Sequence, residues 1–242
     1  MKALILAAGI GSRLASVTND SKVLVKVNGI TNLERISKMC MENGINNIVV
    51  VTGHQRQNVR NEMDRISKKH SSLNFTEVYN PVYKIINNIA SVAAAHLELI
   101  SDNEGFVHFD GDLLIEPALL KKLIDAPGSN LLVVENSREL KEEEMKVKCE
   151  NGKIVKIQKE IDPKEADGEY IGLYKLDGPT TKYYMECLQK HLNNGETKIY
   201  YDNVLPDLLE KFQMSILPTD GLKWVELDFP EDLEEAKKIF ST

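Results

Sequence analysis

The order of apolar and amphipathic segments constrains the fold of this chain more than any single motif does. Over residues 1–135, short apolar runs alternate with amphipathic segments of helical length. The apolar runs predict strands at Ala3–Leu6, Asn47–Thr52, Phe75–Val78, Gly105–Phe109 and Asn130–Val134. The segments between them predict helices at Asn32–Asn43, Gln55–His70, Ile89–Ile100 and Pro117–Ile124. Apolar strands that alternate with helices indicate an α/β fold with a parallel sheet covered on both faces.

After Glu135 the pattern changes to one that favours antiparallel strands. Asn151-Gly152 is typical of a tight hairpin turn, and it separates two strand-like segments. The predicted strands of this half are Lys146–Cys149, Ile154–Gln158, Tyr170–Leu176, Met214–Leu217 and Trp224–Leu227. Helices are predicted at Thr180–Leu192 and Asn203–Phe212, and a last helix begins at Pro230. We therefore predict one domain over residues 1–242, with a doubly wound, mostly parallel half at 1–135 and a smaller antiparallel half at 136–242.

Charge and composition exclude several classes of function. The formal net charge is −7, from 30 Lys and Arg against 37 Asp and Glu, and this argues against a nucleic-acid binder. The sequence has no apolar stretch of about 18 residues, so no membrane span is expected. Its three cysteines, Cys40, Cys149 and Cys187, are not spaced as metal ligands. A reduced, cytoplasmic enzyme is expected, and any nucleotide that it binds must meet locally placed cations.

A glycine-containing loop follows the first predicted strand. Leu6-Ala7-Ala8-Gly9 leaves the strand, and Gly11 and Arg13 come next. Small residues let the backbone approach a nucleotide closely, and the Arg13 guanidinium suits a phosphate group. The dinucleotide-binding motif would require a third glycine at Leu14, so the glycines alone also fit an ordinary tight turn. Lys22 is a second cation that could close over phosphates from the other side.

Two acidic pairs are predicted to lie at the ends of strands. Asp110 and Asp112 directly follow the strand at Gly105–Phe109 and are separated by one residue. Glu226 and Asp228 alternate along the last predicted strand and should therefore share a face. Carboxylates in such pairs suit magnesium. The alternatives are an acidic turn at the first pair, and at the second a capping role for Asp228 in the last helix.

Asn87, Asn88 and Ser91 form a third group of polar residues, at the start of a predicted helix. Either asparagine could cap the helix that begins at Ile89. Amide side chains could equally read the edge of a nucleotide base, with Ser91 contacting the ribose or the base one turn further along. The residues alone leave both roles open.

The segments LAAGIGSRL and SKVLVKVNG together resemble the signature of the nucleoside-triphosphate transferase family, the sugar-phosphate nucleotidyltransferases with a Rossmann-like fold. The resemblance implies that Arg13 and Lys22 are the catalytic cations that bind the triphosphate. It also implies that Asp112 and Asp228 hold Mg²⁺, while Asp110 faces the ribose or a water near the metal. Ser21 departs from the family pattern, which usually has a proline before the lysine.

The asparagine pair with Ser91 resembles the subgroup of cytidylyltransferases that act on phosphocholine and 2-aminoethylphosphonate, and Gly168–Gly172 resembles its acceptor segment. This implies a nucleotide-binding half at 1–135 and an acceptor-binding half at 136–242. It also implies CTP as the donor and a small phosphate or phosphonate acceptor, with release of pyrophosphate. By position, the candidates for acceptor contacts are Lys146, Glu169, Tyr170, Trp224 and Glu226.

The sequence leaves several alternatives open. The nearest is a sugar- or inositol-1-phosphate nucleotidyltransferase that uses CTP, UTP or dTTP. A glycosyltransferase with Asp110 and Asp112 as its metal-binding pair would not need Arg13 and Lys22, and a non-catalytic nucleotide sensor would not need all four charged positions. The resemblance is compatible with a homodimer and with fusion to a partner enzyme.

Overall fold

Four parallel strands form the centre of the computed structural model, which describes residues 1–16 and 18–241. Strand β1 (Lys2–Ala7) lies between β6 (Phe106–Asp110) and β4 (Asn47–Thr52), and β5 (Asn74–Tyr79) pairs with the far side of β4. Each of these strands was predicted to within one residue at either end. The predicted α/β fold around a parallel central sheet is therefore confirmed.

Strands β1, β4 and β6 are buried on both faces, which explains why they are mostly apolar, whereas the edge strand β5 is partly exposed and carries polar residues. Ala3 and Ile5 of β1 point into one core, and Leu4 points into the other. Helices α1 (Asn32–Glu42), α2 (Arg56–Lys69) and α5 (Pro117–Asp125) cover the first core. The second core is covered by α3 (Ile89–Ala94), α4 (His96–Ile100), α6 (Gly178–Asn193) and α7 (Leu205–Leu208). This arrangement of helices on both faces is the predicted doubly wound architecture.

The second half of the chain extends the sheet with antiparallel strands. Strand β11 (Gly168–Leu176) pairs with β6, and it also pairs with β8 (Leu131–Glu135) and β9 (Lys146–Glu150). Outside these lie β10 (Lys153–Gln158), antiparallel to β9, and β12 (Ser215–Pro218), which is the exception because it pairs in parallel with β8. Asn151 and Gly152 both have positive φ angles, 51° and 75°, so the predicted hairpin turn between β9 and β10 is confirmed.

Two predicted helices are shorter than expected. The helix predicted over Ile89–Ile100 divides at Ala95, where the backbone leaves helical geometry at ψ 7° and α3 gives way to α4. The helix predicted over Asn203–Phe212 is instead a 3₁₀ turn at Tyr201–Val204 followed by the single turn of α7. Pro206 lies in the first turn of α7, where its missing N–H is tolerated, and so it marks a new start rather than the interior of one helix.

A small subdomain with its own apolar core lies beside the glycine loop. Strand β7 (Leu113–Ile115) pairs with β13 (Trp224–Glu226), and β2 (Lys26–Val27) pairs with β3 (Ile30–Thr31). Helix α8 (Pro230–Ile239) packs over both pairs and buries a separate apolar cluster around Leu14 and Leu227. Among the helices of residues 1–16 and 18–241, none is long and apolar enough to cross a membrane.

Gly111 and Gly9 provide a test of how tightly the end of β6 packs on β1. A Cβ atom on Gly111 would lie 2.0 Å from the carbonyl oxygen of Leu6, which is backbone and cannot give way cheaply. We expect Gly111→Ala to lower the free energy of unfolding by about 3 kcal/mol in urea denaturation.

Gly9→Ala is the matched control, because a Cβ atom there meets no atom within 4 Å. We expect Gly9→Ala to change the free energy of unfolding by no more than about 0.5 kcal/mol. Equal stabilities for the two variants would contradict this account of the β1–β6 junction.

Candidate active site

The loop after β1 carries the two predicted cations. Gly11 has a φ of 65°, a left-handed conformation that glycine adopts without strain, and a 3₁₀ turn at Ser12–Leu14 follows it. The aliphatic part of Lys22 passes directly over Gly11, since a Cβ atom on that glycine would lie 2.9 Å from the lysine Cγ. Glycine at this position therefore leaves room for the lysine as well as for the turn.

Ser21, where the resembling family has proline, anchors the second cation. The serine is buried, and its Oγ donates a hydrogen bond of 3.1 Å to the carbonyl oxygen of Ala7 at the end of β1. Its φ of −57° lies in the range that proline would impose. The serine thus holds Lys22, the next residue, against the glycine loop through a side-chain hydrogen bond rather than a ring.

The pairing of β7 with β13 brings the two predicted metal ligands together. Asp112 immediately precedes β7, and Glu226 of β13 lies opposite Leu113 in the antiparallel register. The backbone N–H of Leu227 donates to the carbonyl oxygen of Asp112 at 3.0 Å, which brings Asp228 beside Asp112. Residues that are far apart in the chain thereby form one acidic group at the carboxyl edge of the central strands.

Lys22 lies between these two carboxylates. Its Nζ donates to Oδ2 of Asp112 at 2.9 Å and to Oδ1 of Asp228 at 2.5 Å. Arg13 pairs with the other oxygen of Asp228 at 2.8 Å, and its guanidinium also lies over the ring of Phe229. All four predicted charged residues therefore meet in one cluster.

The capping alternative for Asp228 is wrong. Helix α8 begins at Pro230, and the backbone N–H groups of Asp228 and Phe229 both donate to the Asp232 carboxylate, at 2.8 and 2.6 Å. A different acidic residue thus satisfies the start of α8. The Asp228 side chain is left facing the cluster.

The cluster holds more negative than positive charge, and the pKa values reflect this. Burial and repulsion from nearby carboxylates raise the pKa of Asp112, although Lys22 opposes the shift. The Glu226 side chain is largely exposed by area, yet desolvation of its carboxyl group and repulsion from Asp112 and Asp228 raise its pKa well above the ordinary value. Burial would lower the pKa of Lys22, but attraction to Asp112 and Asp228 outweighs it and the pKa is raised.

Three of these carboxylates fit a divalent cation. Asp112, Glu226 and Asp228 each offer an oxygen atom, and these atoms lie within 4.8 Å of one another. Carboxylate oxygens are the ligands that Mg²⁺ prefers, and a cation would relieve the repulsion that raises the pKa values. Glu226 was predicted as an acceptor contact, but in the structure it lies beside Asp112 and Asp228, the two predicted metal ligands.

Asp110 lies at the end of β6 and is held on both sides. Its Oδ2 accepts a 2.7 Å hydrogen bond from the Tyr201 hydroxyl, and its Oδ1 lies 3.1 Å from Nε2 of His108. Gly172, in a bulge of β11 with φ 86°, comes so close that a Cβ atom there would lie 2.5 Å from Oδ2 of Asp110. The acidic turn is therefore a fixed arrangement rather than a free loop.

The asparagine pair does not cap α3 through its side chains, so that alternative is wrong. Oδ1 of Asn88 accepts from the backbone N–H of Tyr201 at 3.0 Å, and Nδ2 of Asn87 donates to the carbonyl oxygen of Lys198 at 2.5 Å. Ser91 is buried one turn further along and accepts a 3.0 Å hydrogen bond from Asn80. Both asparagines instead connect α3 to the segment that precedes α7.

Two of the predicted acceptor residues lie away from the cleft. Lys146 is fully buried, and its Nζ donates to the carbonyl oxygens of Lys141, Glu142 and Glu144, so its charge orders the chain before β9. Nε1 of Trp224 donates to the Glu135 carboxylate at 2.8 Å, and the indole packs on the first core. The structure therefore does not bring either predicted acceptor contact into the lining of the cleft, because hydrogen bonds to other parts of the protein fix their directions.

Two other residues predicted as acceptor contacts do face the cleft, and three residues that were not predicted lie beside them. Glu169 and Tyr170 of β11 line it as expected, and they are joined by Lys159, Tyr200 and Asp202. Burial and repulsion from Asp110 raise the pKa of Asp202 to about 6, against an opposing attraction from Lys159. Two tyrosines followed by an aspartate, a combination suited to a cationic ligand, were a signal in the sequence.

The glycine loop, the acidic cluster and the acceptor-side residues surround a single cleft of about 640 Å³. Except for Asn87, every residue predicted to bind nucleotide, phosphate or metal lines this cleft: Leu6, Ala7, Ala8, Gly9, Gly11, Arg13, Lys22, Asn88, Ser91, Asp110, Asp112 and Asp228. After β1 the cleft is lined by Arg13 and Lys22, cations that suit phosphate groups. Toward β11 it is lined by carboxylates and tyrosines. It suits a ligand that is strongly anionic in one part and cationic in another.

Comparison with known families agrees with this geometry. The MobA-like NTP transferase domain matches residues 3–198, which is most of the chain. The chain belongs to this family. The predicted enzyme class, a nucleotidyltransferase, is confirmed by this membership.

Among curated proteins, this NTP transferase is 27% identical to a CTP:phosphoglutamine cytidylyltransferase of Campylobacter jejuni, over 97% of this chain and 98% of that protein. It is 26% identical to a choline-phosphate cytidylyltransferase of Streptococcus pneumoniae, over 99% and 98%. The solved structure of the CTP:phosphocholine cytidylyltransferase of Streptococcus pneumoniae superposes with a TM-score of 0.75 at 22% identity, covering 99% of each chain. The predicted resemblance to cytidylyltransferases of small phosphorylated acceptors is confirmed.

Proposed function

We propose that the protein transfers CMP from CTP to a small phosphate or phosphonate acceptor with a cationic end, and releases pyrophosphate. The observation that carries this proposal is the position of Lys22, whose ammonium lies against both Asp112 and Asp228 while its stem crosses the glycine loop. A phosphate chain on that loop would meet Lys22 and the carboxylate cluster together.

The reaction needs little covalent participation from the protein. An anionic oxygen of the acceptor forms a bond to the α-phosphorus of CTP, and the bond from that phosphorus to the α,β-bridging oxygen breaks. The electron pair leaves with pyrophosphate, and no proton has to move because the acceptor is already ionised near neutral pH. Arg13 and Lys22 stabilise the departing charge, and the amides after Gly9 orient the phosphates.

Asp112, Asp228 and Glu226 are the residues that would hold Mg²⁺. Magnesium at these oxygens supplies positive charge to the phosphates and favours departure of pyrophosphate. The surplus of negative charge in this cluster supports the assignment, since the three carboxylates face only Lys22 and Arg13 among the described residues. Glu226 joins the metal ligands here rather than the acceptor contacts.

The choice of cytosine rests on the curated relatives, which use CTP, and on the side chains that face the cleft near α3. Asn88 and Ser91 line the cleft there, and Asp110 and the glycine loop line the same cleft. We assign Asn88 and Ser91 to the base or ribose and Asp110 to the ribose. Asn87, bonded to the Lys198 carbonyl, supports this part of the cleft without lining it.

The acceptor end supports an ammonium-bearing compound such as phosphocholine or 2-aminoethylphosphonate. The Arg138 guanidinium pairs with Glu169 and is shared with Glu144, so Glu169 already faces a cation of the protein. Asp202 retains a buried oxygen, Oδ1, that has no hydrogen-bond partner in the described part of the chain. Asp202 is therefore the carboxylate best suited to the cation, and the tyrosines Tyr200 and Tyr170 line the same cleft. Lys159, which lines the cleft, replaces Lys146 as the lysine assigned to the acceptor, and we assign it to the acceptor phosphate.

A matrix of donors and acceptors tests the proposal. The purified protein is incubated with magnesium and CTP, UTP or dTTP, each combined with phosphocholine, 2-aminoethylphosphonate, inositol 1-phosphate or a hexose 1-phosphate. Pyrophosphate release gives the rate, and the mass of the product identifies the pair. We expect CTP with an amine-bearing acceptor to react fastest. A preference for a sugar or inositol phosphate would replace the proposal with its nearest alternative, and binding of CTP without turnover would indicate a nucleotide sensor.

Removing the Lys22 charge should abolish most turnover. We expect Lys22→Met to lower kcat by about 100-fold or more, the scale of losing one preorganised charge contact in a transition state. Lys26→Met is the control, because Lys26 is an exposed lysine on the nearby strand β2. Steady-state pyrophosphate release measures both variants, and a Lys22→Met enzyme with normal kcat would overturn the assignment.

The same substitution should strengthen metal binding in the absence of nucleotide. The Lys22 ammonium contacts both aspartates and so competes with any cation for their oxygens. Charges 4 Å apart near a protein surface interact by about 1 to 4 kcal/mol, so we expect Lys22→Met to bind Mn²⁺ roughly tenfold more tightly than wild type. Electron paramagnetic resonance of free Mn²⁺ measures this affinity. Unchanged or weaker binding would place the cation elsewhere.

Acceptor binding should depend on pH through Asp202. Its carboxylate is ionised above a pKa of about 6 and neutral below it, so attraction to an ammonium group is present above about pH 6 and lost as the pH falls through that value. We expect the KM for 2-aminoethylphosphonate to rise in this acid range for wild type. In Asp202→Asn the KM should be high at pH 8, and the rise that is due to Asp202 should disappear. Identical pH profiles for the two proteins would exclude Asp202 from the acceptor site.

A further inference from the structure

Tyr201 is a fully buried tyrosine at the meeting point of the two halves of the molecule. It begins the 3₁₀ turn before α7, and its ring tilts against His108 at a centroid distance of 4.5 Å. Its neighbours in sequence, Tyr200 and Asp202, line the acceptor side of the cleft. Tyr201 itself reaches toward the nucleotide side.

The Tyr201 hydroxyl is the middle of a directed hydrogen-bond chain. It lies 2.7 Å from Oδ2 of Asp110 and 2.9 Å from the hydroxyl of Tyr170. An ionised carboxylate can only accept, so Tyr201 donates to Asp110, and Tyr170 must donate to Tyr201. The chain therefore runs from the acceptor-side strand β11 to the end of β6.

Asp110 has little freedom once this bond is made. His108 Nε2 faces its other oxygen, and the backbone of Gly172 closes the space beside Oδ2. The Tyr201 hydroxyl supplies the hydrogen bond on that second side. Without this hydrogen bond, only the contacts with His108 and Gly172 described above would restrain rotation of the Asp110 carboxylate.

The backbone of Tyr201 reaches a second predicted nucleotide contact. Its N–H donates to Oδ1 of Asn88 at 3.0 Å, and this bond fixes the orientation of the Asn88 side-chain amide. Its carbonyl oxygen accepts from the hydroxyl of Tyr184 at 2.9 Å. One residue thus orients side chains on two elements of the nucleotide side, β6 and the start of α3.

We propose that Tyr201 is a positioning residue, whose hydroxyl sets the Asp110 carboxylate for the nucleotide and links that setting to the acceptor side of the cleft. The inference rests on the proposed function, in that Asp110 is taken to contact the ribose. Burial alone would suggest that the Tyr201 phenol has only a packing role.

The experiment compares Tyr201→Phe with Tyr184→Phe. Both residues are buried tyrosines that donate one hydrogen bond to an oxygen of the protein, but Tyr184 donates to the Tyr201 backbone and does not contact Asp110. In urea we expect Tyr201→Phe to lose more stability than Tyr184→Phe, because the buried Tyr170 hydroxyl also loses its acceptor. Calorimetric titration with CTP should show affinity lowered about tenfold in Tyr201→Phe and changed less than about twofold in Tyr184→Phe. Equal CTP affinities for the two variants would overturn the proposal.

A double-mutant cycle separates positioning from packing. If Tyr201 acts through Asp110, Tyr201→Phe should have no further effect on CTP affinity in an Asp110→Asn background, whereas independent effects would add. Additive losses would overturn the proposal. Wild-type titrations with CTP, UTP and dTTP come first. If another nucleotide binds instead of CTP, the donor assignment fails, and the same cycle measured with that nucleotide still decides the role of Tyr201.

Discussion

The contact of Lys22 with Asp112 and Asp228 is the interaction on which the arrangement of the cleft depends. It joins three segments that are 90 and 206 residues apart in sequence: the glycine loop, the end of β6 and the strand before α8. Removing charges from water is costly, and a buried ion pair adds little net stability. The cluster is therefore better explained by a ligand that it binds than by the stability it provides. The separate apolar cluster around Leu14 and Leu227 supplies the packing that holds these segments in place.

The parts of the fold that could be predicted are those in which local pattern and burial agree. Strand β4 is apolar because both of its faces are covered, so its pattern has one interpretation and its predicted bounds were correct. The helices near Ala95 and Pro206 are different, because their residues fit a helix locally while packing and hydrogen bonds to other elements divide them. Such divisions depend on contacts between distant segments, which periodicity does not report.

The candidate site shows the same contrast. Arg13, Lys22, Asp112 and Asp228 come together because each follows or precedes a strand whose place in the sheet could be inferred. Lys146 lies in a strand near the acceptor side, as its sequence position suggests, but three carbonyl oxygens draw its charge away from the cleft. The cleft residues Tyr200–Asp202 were missed because they precede what resembles the start of a continuous helix. Side-chain direction, rather than position along the chain, decides these cases.

The balance of charge in the cleft determines which ligands it can accommodate. The nucleotide is strongly anionic, yet the cleft contains more carboxylates than cations among the residues that line it. Arg13 and Lys22 are engaged by Asp228 and Asp112, so a triphosphate alone would have to break these pairs while facing unneutralised carboxylates. A divalent cation held by Asp112, Glu226 and Asp228 would neutralise these carboxylates, and Arg13 and Lys22 could then pair with phosphate. The excess of negative charge would favour a positive end on the proposed acceptor near Asp202 in the same way, because that group would be attracted rather than repelled there.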